Sequence, residues 1–468
     1  MIFTKDITFQ TFVDELFQND EIEKTDTKLI SWTTEIEPIS LLSVFQAAKN
    51  KVNNRMFWSN HNRTFSYVGI GVAKKILVQD DDRFTSLESQ WKQVLQEAHI
   101  YNPYKTSGTG LVGIGGMSFD PRKKRTKLWE HFPSSQLTIP ELLVLETEGR
   151  YYLTINQLIN SHSSKESLID HVNQLKRVCF VEQIVKKTKH RIMNKVEIDP
   201  EGWKTKVQKA VDEIKAGHVK KIVMAREMQL QFDQETNIAH LIQRLLMMQA
   251  NSYIYAIEHD GHCFIGATPE RLVEVHGKQL LSACIAGTAP RGKTIEEDDQ
   301  IGQQLLNDTK NREEHDYVVQ MIRKQITPYC EEVFIADEPI LHPLKNLQHL
   351  YTPVSATLKK QVSIFEIVKQ LHPTPALGGE PREESLAFIR EHESLDRGWY
   401  GAPVGWLDSN DNGEFVVAIR SGLIKPLEAS LFAGCGVMGD SDPEMEYEET
   451  NVKFMPMLHM LEDEDEAY

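Results

Sequence analysis

From residue 220 onward the chain sets down one long apolar run after another, and turn residues close most of them. KKIVMAREMQL, SYIYAIEH, HCFIGATPERLVEV, GWYGAPVGWLD and EFVVAIRSGLI are rich in β-branched and aromatic residues, the composition of half-buried or buried strands. Asp260-Gly261 joins the second run to the third, and DSNDNG joins the fourth to the fifth. Short polar turns of this kind make hairpins, so these strands pair antiparallel. Between them lie segments of helical period. Asp199 and Pro200 open a helix whose inner stripe is Trp203, Val207, Ala210, Val211 and Ile214, and Gly217 closes it. Residues 237–249, 297–326, SIFEIVKQLH and REESLAFIREHE also read as helices. The predicted class is α+β: two large antiparallel sheets flanked by helices, in a single large domain.

The first half carries the same mixture. Leu87, Trp91, Val94, Leu95 and Ala98 mark a helix from Ser86 to Ile100, with the strand FSYVGIGVAKKI before it. After it, LLVLETEGRYYLTIN is a hairpin turning at Glu148 and Gly149. The polar, basic stretch from His162 to Val196 reads as a helical connector. Residues 1–197 are therefore expected to complete the fold, 198–460 to form its core, and 461–468 to be a solvated acidic tail.

Two local patterns mislead. Gly108, Gly110 and Gly113 spell GxGxxG, but no apolar strand precedes them and no helix follows, so the dinucleotide reading is rejected. DSNDNG mimics the first half of a calcium loop, yet Ile419 stands where a bidentate glutamate belongs, which leaves a plain turn.

A formal charge of −16 argues against a nucleic-acid partner, so any anion-binding site must be local. The five cysteines contain no CxxC pair and imply a reducing compartment. No run approaches the ~20 apolar residues of a membrane span, and MIFTKDITFQTF lacks a signal-peptide profile. The expectation is a cytoplasmic protein without a membrane partner.

Five polar features stand out against this background. Lys221 begins the strand KIVMAR. Glu270 follows a proline after a strand. Glu314 shares a helical stripe with Val318 and Ile322, so it faces inward where Glu313 does not. Arg420 ends the apolar run FVVAIR, a setting for bidentate capture of a carboxylate. The fifth is Phe432–Lys453, where Gly434, Gly436 and Gly439 bare the backbone amides and Asp442-Pro443 opens an acidic helix. Glu446 and Glu449 share one face of that helix, with Lys453 four residues on, a set that can hold a hard cation beside an anion.

KIVMAR, GATPERL, SACIAGTAPRG, KNREEH, NLQHL, LHPTPALGG, YGAPVGW, AIRSGLI and FAGCGVMGDSDPEMEYEET, in this order, resemble the chorismate-utilising enzymes, and among them the isochorismate synthases. The resemblance spans roughly residues 203–457. It implies Mg²⁺-dependent conversion of chorismate to isochorismate, the menaquinone-pathway enzymes being most similar, by a monomer or weak oligomer. It makes Lys221 the general base that activates water for attack at C2, and Glu270 the general acid that protonates the departing C4 hydroxyl. Glu314 and Glu449 match metal carboxylates, with Glu446 acting directly or through water. Arg420 and Tyr400 match positions that hold the enolpyruvyl carboxylate, with the Gly436 amide assisting. Gly287, Thr288 and His349 match the pocket lining near the ring carboxylate and hydroxyl. Gly422 stands where alanine is more usual. Ammonia-using anthranilate and aminodeoxychorismate synthases resemble the chain too, but they typically carry glutamine at the position of Lys221. Salicylate synthases share the lysine and remain open as an alternative.

Overall fold

The computed structural model describes residues 7–18, 27–187, 190–344 and 347–462, so most of the expected acidic tail lies outside it. The strands assemble into a 13-stranded and a 10-stranded sheet, and one pair alone, Lys28–Ile36 with His99–Tyr101, is parallel among the described residues. Both sheets draw strands from both halves of the chain. In the larger one Tyr253–His259 pairs with Asn54–Ser59, and in the smaller Pro403–Asp408 pairs with Val112–Met117.

Alternation along each strand explains the layering. In Tyr253–His259, the residues Tyr253, Tyr255 and Ile257 enter an aromatic layer between the sheets, while Ile254 and Ala256 pack outward with the helices Ile238–Met248 and Pro443–Leu461. On the smaller sheet Val416 faces inward, whereas Phe415 and Val417 join the cluster beneath Thr309–Ile326 and Ile364–Leu371. Helices thus cover the outer faces and the two sheets close on Trp58, Trp129, Phe264, Trp399 and Trp406. Each such side chain contributes roughly 1.5–3 kcal/mol by leaving water. Among the described residues no helix is long and apolar enough to cross a membrane, and all five cysteines are free and buried.

Several sequence expectations shift. The helix expected over 297–326 is two, Ile295–Asn307 and Thr309–Ile326, because Asp308 stops the first and caps the second by accepting from the Asn311 N–H at 2.8 Å. The helix expected at Ser86–Ile100 runs Arg83–Glu97. The connector holds a helix, Lys165–Cys179, but its end, Ile192–Glu197, is an edge strand on Lys221–Phe232. The rejected glycine motif is a turn: Gly108 and Gly110 have φ of 81° and 82°, and Gly108 N–H donates to Asp408 at 2.9 Å. That same buried Asp408 carboxylate accepts from the Asn410 and Asn412 amides, which accounts for DSNDNG without calcium.

The largest correction concerns two runs read as unbroken strands. HCFIGATPERLVEV is His262–Thr268 in the larger sheet and Arg271–His276 in the smaller, with Pro269 and Glu270 at the crossing. EFVVAIRSGLI divides likewise into Gly413–Val417 and Ser421–Ile424. The two crossings brace each other, since Ala267 N–H donates to Arg420 O at 2.9 Å and Val417 N–H to Glu270 O at 3.0 Å. Strands that pass from sheet to sheet bend at such corners. Here the bends carry Glu270 and Arg420 to the seam.

Candidate active site

A cavity of about 220 Å³ opens at that seam. Its walls include Glu270, Gly287, Thr288, Glu314, His349, Tyr400, Arg420, Gly436, Glu446 and Glu449. Lys221 stands just behind. It is fully buried, its Nζ donates to Glu314 Oε1 at 2.5 Å, and a β-carbon at Gly436 would lie 2.8 Å from its Cε. The expected base, acid, carboxylates and cationic donors therefore lie at one place.

Glu270 is buried at the strand crossing, and this burial raises its carboxyl to about 7 against the opposing charges of Lys221, Arg420 and Lys453. It can hold a proton near neutrality. Arg420 adopts φ of 49°, a left-handed conformation costly for any residue but glycine, at the point where the chain changes sheets. Its guanidinium is buried and meets no protein acceptor among the described residues; burial lowers it, while Tyr400, Glu449 and Glu270 pull the other way. A buried cation so placed is built to take an anion. Tyr400 beside it is pushed up to about 12 by burial, so its hydroxyl stays protonated and can donate.

His349 is brought down to about 3, first by burial and then by Arg420 and Lys453, so the ring is neutral. Its Nδ1 stands 3.3 Å from Gly287 O and 3.0 Å from Thr288 Oγ1. Because a carbonyl only accepts, Nδ1 carries the hydrogen and the buried Nε2, without a protein partner, is an acceptor. The Thr288 N–H is held by Asn311 Oδ1 at 3.1 Å, and Gly287 has φ of 76°.

The acidic helix Pro443–Leu461 starts at Asp442, whose carboxylate accepts from the amides of Glu444 and Met445. Ser441 Oγ donates to Glu446 Oε1 at 2.6 Å, while Glu446 Oε2 is buried with no partner. Burial, aided by Glu449, raises Glu446 above the ordinary carboxylate range. Burial opposes ionisation of Glu449 as well, but Lys453 at 2.5 Å holds it below that range.

Sequence reasoning passed over Lys453 as a site residue although its spacing from Glu449 was visible. Its Nζ donates to Gly434 O at 3.0 Å and lines the cavity. Arg397 was missed entirely. It forms a buried bidentate pair with Glu393 and donates to Leu377 O and Val223 O, tying the HPTPALGG loop to the Lys221 strand. Its own carbonyl accepts from Tyr400 N–H at 2.8 Å, which sets that ring against Phe432.

Gly436 leaves no room for a side chain, since a β-carbon would also lie 2.9 Å from Glu314 Oε1. Gly436→Ala is expected to push the Lys221–Glu314 pair out of place and lower kcat by about 10²-fold, with far-UV circular dichroism unchanged. Steady-state assay of that variant checks this.

An acid, a buried amine, three further carboxylates and a cluster of cationic donors converging on one cavity define an enzyme for acid–base work on a small polyanion. The chain belongs to the chorismate binding enzyme family, whose model matches residues 15–462. It is 40% identical over 441 residues to isochorismate synthase MenF of Bacillus subtilis, spanning 92% of this chain and 93% of that protein. It is 34% identical over 439 residues to the salicylate biosynthesis isochorismate synthase of Pseudomonas aeruginosa, spanning 92% and 90%. The structure of MenF, the menaquinone-specific isochorismate synthase of Escherichia coli, superposes with a TM-score of 0.78 at 24% identity over 97% of this chain and 99% of that one, a likeness of fold.

Proposed function

We propose that this protein is an isochorismate synthase that adds water to C2 of chorismate as the C4 hydroxyl leaves, the ring double bonds shifting between them. One observation carries the reading: a protonatable buried glutamate lines the cavity beside an unpaired guanidinium, with a buried lysine just behind the wall on Glu314. Lys221 takes the proton from water. Glu270 gives its proton to the departing hydroxyl. Arg420 and Tyr400, with the Gly436 amide, hold the enolpyruvyl carboxylate, and neutral His349 with Thr288 and Gly287 orients the ring substituents. Lys453 adds a second cation for a substrate that brings two carboxylates. Full-length likeness to the Bacillus subtilis MenF protein supports a place in menaquinone synthesis.

Glu314, Glu446 and Glu449 fit Mg²⁺: they are hard oxygen donors, and the unpartnered Glu446 Oε2 is a buried acceptor that needs a cation. Bound Mg²⁺ supplies a Lewis acid that clamps a substrate carboxylate and offsets developing negative charge. Glu314 and Glu449 each hold a lysine at 2.5 Å, so loading the site requires both to exchange an ammonium for metal. Glu446→Gln is expected to weaken Mg²⁺ binding by at least the ~10–100-fold that losing an outer-shell partner costs, read by calorimetric titration and by the Mg²⁺ dependence of turnover.

Incubation of the purified protein with chorismate and Mg²⁺, with and without ammonium, followed by chromatographic separation, tests the assignment. Isochorismate is the expected product. Salicylate with pyruvate would move it to the lyase, and anthranilate to the ammonia-using enzymes.

A further inference from the structure

Two buried arginines reach the cavity wall, and they are used in opposite ways. Arg420 meets no protein acceptor among the described residues, whereas Arg397 turns its fork on the protein. Its Nε and Nη2 donate to the two Glu393 oxygens at 2.6 and 2.7 Å, Nη1 to Leu377 O at 3.0 Å, and Nη2 also to Val223 O at 2.8 Å. A guanidinium so engaged has little left to offer a substrate carboxylate. We infer that the Arg397–Glu393 pair is a positioning device for the base: it stands in for a missing strand beside Lys221 and fixes where that amine points. The inference rests on the reading of Lys221 as the base.

The free edge of the strand Lys221–Phe232 carries the inference. One edge of that strand is paired from Ile222 to Gln231 with Glu428–Val437. The other is paired only near its ends: Gly379–Glu380 lies against Lys221 and Ile222, and Ile192–Glu197 against Met228–Phe232. Between them, among the described residues, no strand covers Val223 and Ala225. Backbone groups left bare inside a protein are costly, so they take other partners. Side chains supply them here. The Val223 carbonyl accepts from Arg397, the Ala225 N–H donates to Glu393 Oε2 at 2.8 Å, and the Ala225 carbonyl accepts from Trp203 Nε1 at 3.1 Å. The neighbouring rung belongs to Lys221 itself, whose carbonyl accepts from Ser385 Oγ at 2.9 Å.

Chemistry suits the pair to this task. Arg397 and Glu393 are each 3% exposed, so solvent does not compete for the bonds they make. A lysine in place of Arg397 has one ammonium, which cannot span the two carboxylate oxygens and two carbonyls that a planar fork reaches. Through Leu377 O the same fork holds the loop whose Ala376 and Leu377 line the cavity. Tyr400 is tied differently. Its N–H donates to the Arg397 carbonyl, a backbone contact that a change of side chain leaves in place. Loss of the fork therefore falls on the strand that bears Lys221 and spares the groups proposed to hold the substrate carboxylates. Misplacement of a reacting group by about 1 Å lowers the rate about 10²-fold.

The test measures chorismate turnover with Mg²⁺ in Arg397→Ala and Arg397→Lys. Each lowers kcat about 10²-fold and leaves KM nearly unchanged. Added guanidinium, which refills the space vacated in Arg397→Ala, restores kcat, and urea does not. In the Lys221→Gln background Arg397→Ala lowers kcat little further, because the base it positions is already gone. Amide hydrogen exchange, followed by mass spectrometry without substrate, is faster over residues 221–226 in Arg397→Ala and is slowed again by guanidinium. That readout needs no turnover, so a different product from chorismate would overturn the proposed reaction and leave the positioning result standing. Should Arg397→Ala fold poorly, Arg397→Lys keeps the charge beside Glu393 and carries the kinetic test. The inference is overturned if either folded variant turns over like the parent, or if the loss falls on KM instead of kcat. It is overturned equally if guanidinium restores Tm but not kcat, or if the Lys221 and Arg397 losses multiply, as they would for a pair that only stabilises the fold.

Discussion

Lys221→Gln is expected to lower kcat by about 10²–10⁴-fold while leaving KM for chorismate nearly unchanged. Water is a weak nucleophile, so its attack needs a base that takes a proton as the oxygen bonds to C2. Lys221 is fully buried at the start of its strand, where Glu314 holds its amine beside Gly436. Glutamine is of similar length and can still hydrogen-bond to Glu314, but it cannot accept a proton. In the proposed mechanism the substrate carboxylates are gripped elsewhere, by Arg420, Tyr400 and Lys453, so binding should be spared. Steady-state kinetics with far-UV circular dichroism on the variant measures this. Turnover above a tenth of the parent would remove Lys221 from the role of base.

Glu270→Gln is the second large effect, and pH separates it from the first. The Glu270 carboxyl is raised from 4.5 to about 7, burial outweighing the nearby cations. As general acid it works in the protonated form, so parental kcat/KM should fall tenfold per pH unit above about 7. The variant has no proton to give. It should lose about 10²–10⁴-fold in kcat, and the alkaline limb near pH 7 should vanish from what activity remains. Stability should move the other way. Between 4.5 and about 7 the folded protein holds a proton that the unfolded chain has lost, so stability drains away as pH rises through this window. The neutral variant escapes that penalty, and its Tm at pH 8 should exceed the parent's.

How far the site could be read from the sequence follows from what each residue depends on. Glu314 was legible because helix period alone separates an inward residue from the outward Glu313. Glu446 and Glu449 were legible through the cap at Asp442 and the spacing beyond it. Glu270 and Arg420 could be picked out as residue types, but their meeting could not. HCFIGATPERLVEV and EFVVAIRSGLI look like continuous strands, and the switch of each from one sheet to the other is decided by long-range pairing between sheets. Arg397 shows the opposite limit. Nothing local distinguishes SLDRGW from a polar loop, since its burial comes from Glu393 and from carbonyls at Leu377 and Val223. The split of 297–326 at Asp308 fell to the same cause as many boundary errors, a cap hidden inside a helical pattern.

The claim beneath all of this is that the hydroxyl gained at C2 comes from solvent, activated on one side of the ring, while a different hydroxyl departs from C4. Turnover of chorismate in ¹⁸O-enriched water, with mass spectrometry of the isochorismate formed, measures it directly. The account predicts one solvent oxygen in each product molecule, located at C2. Isochorismate formed without solvent oxygen would mean that the original hydroxyl migrates within the ring, and would contradict the pairing of Lys221 with an incoming water.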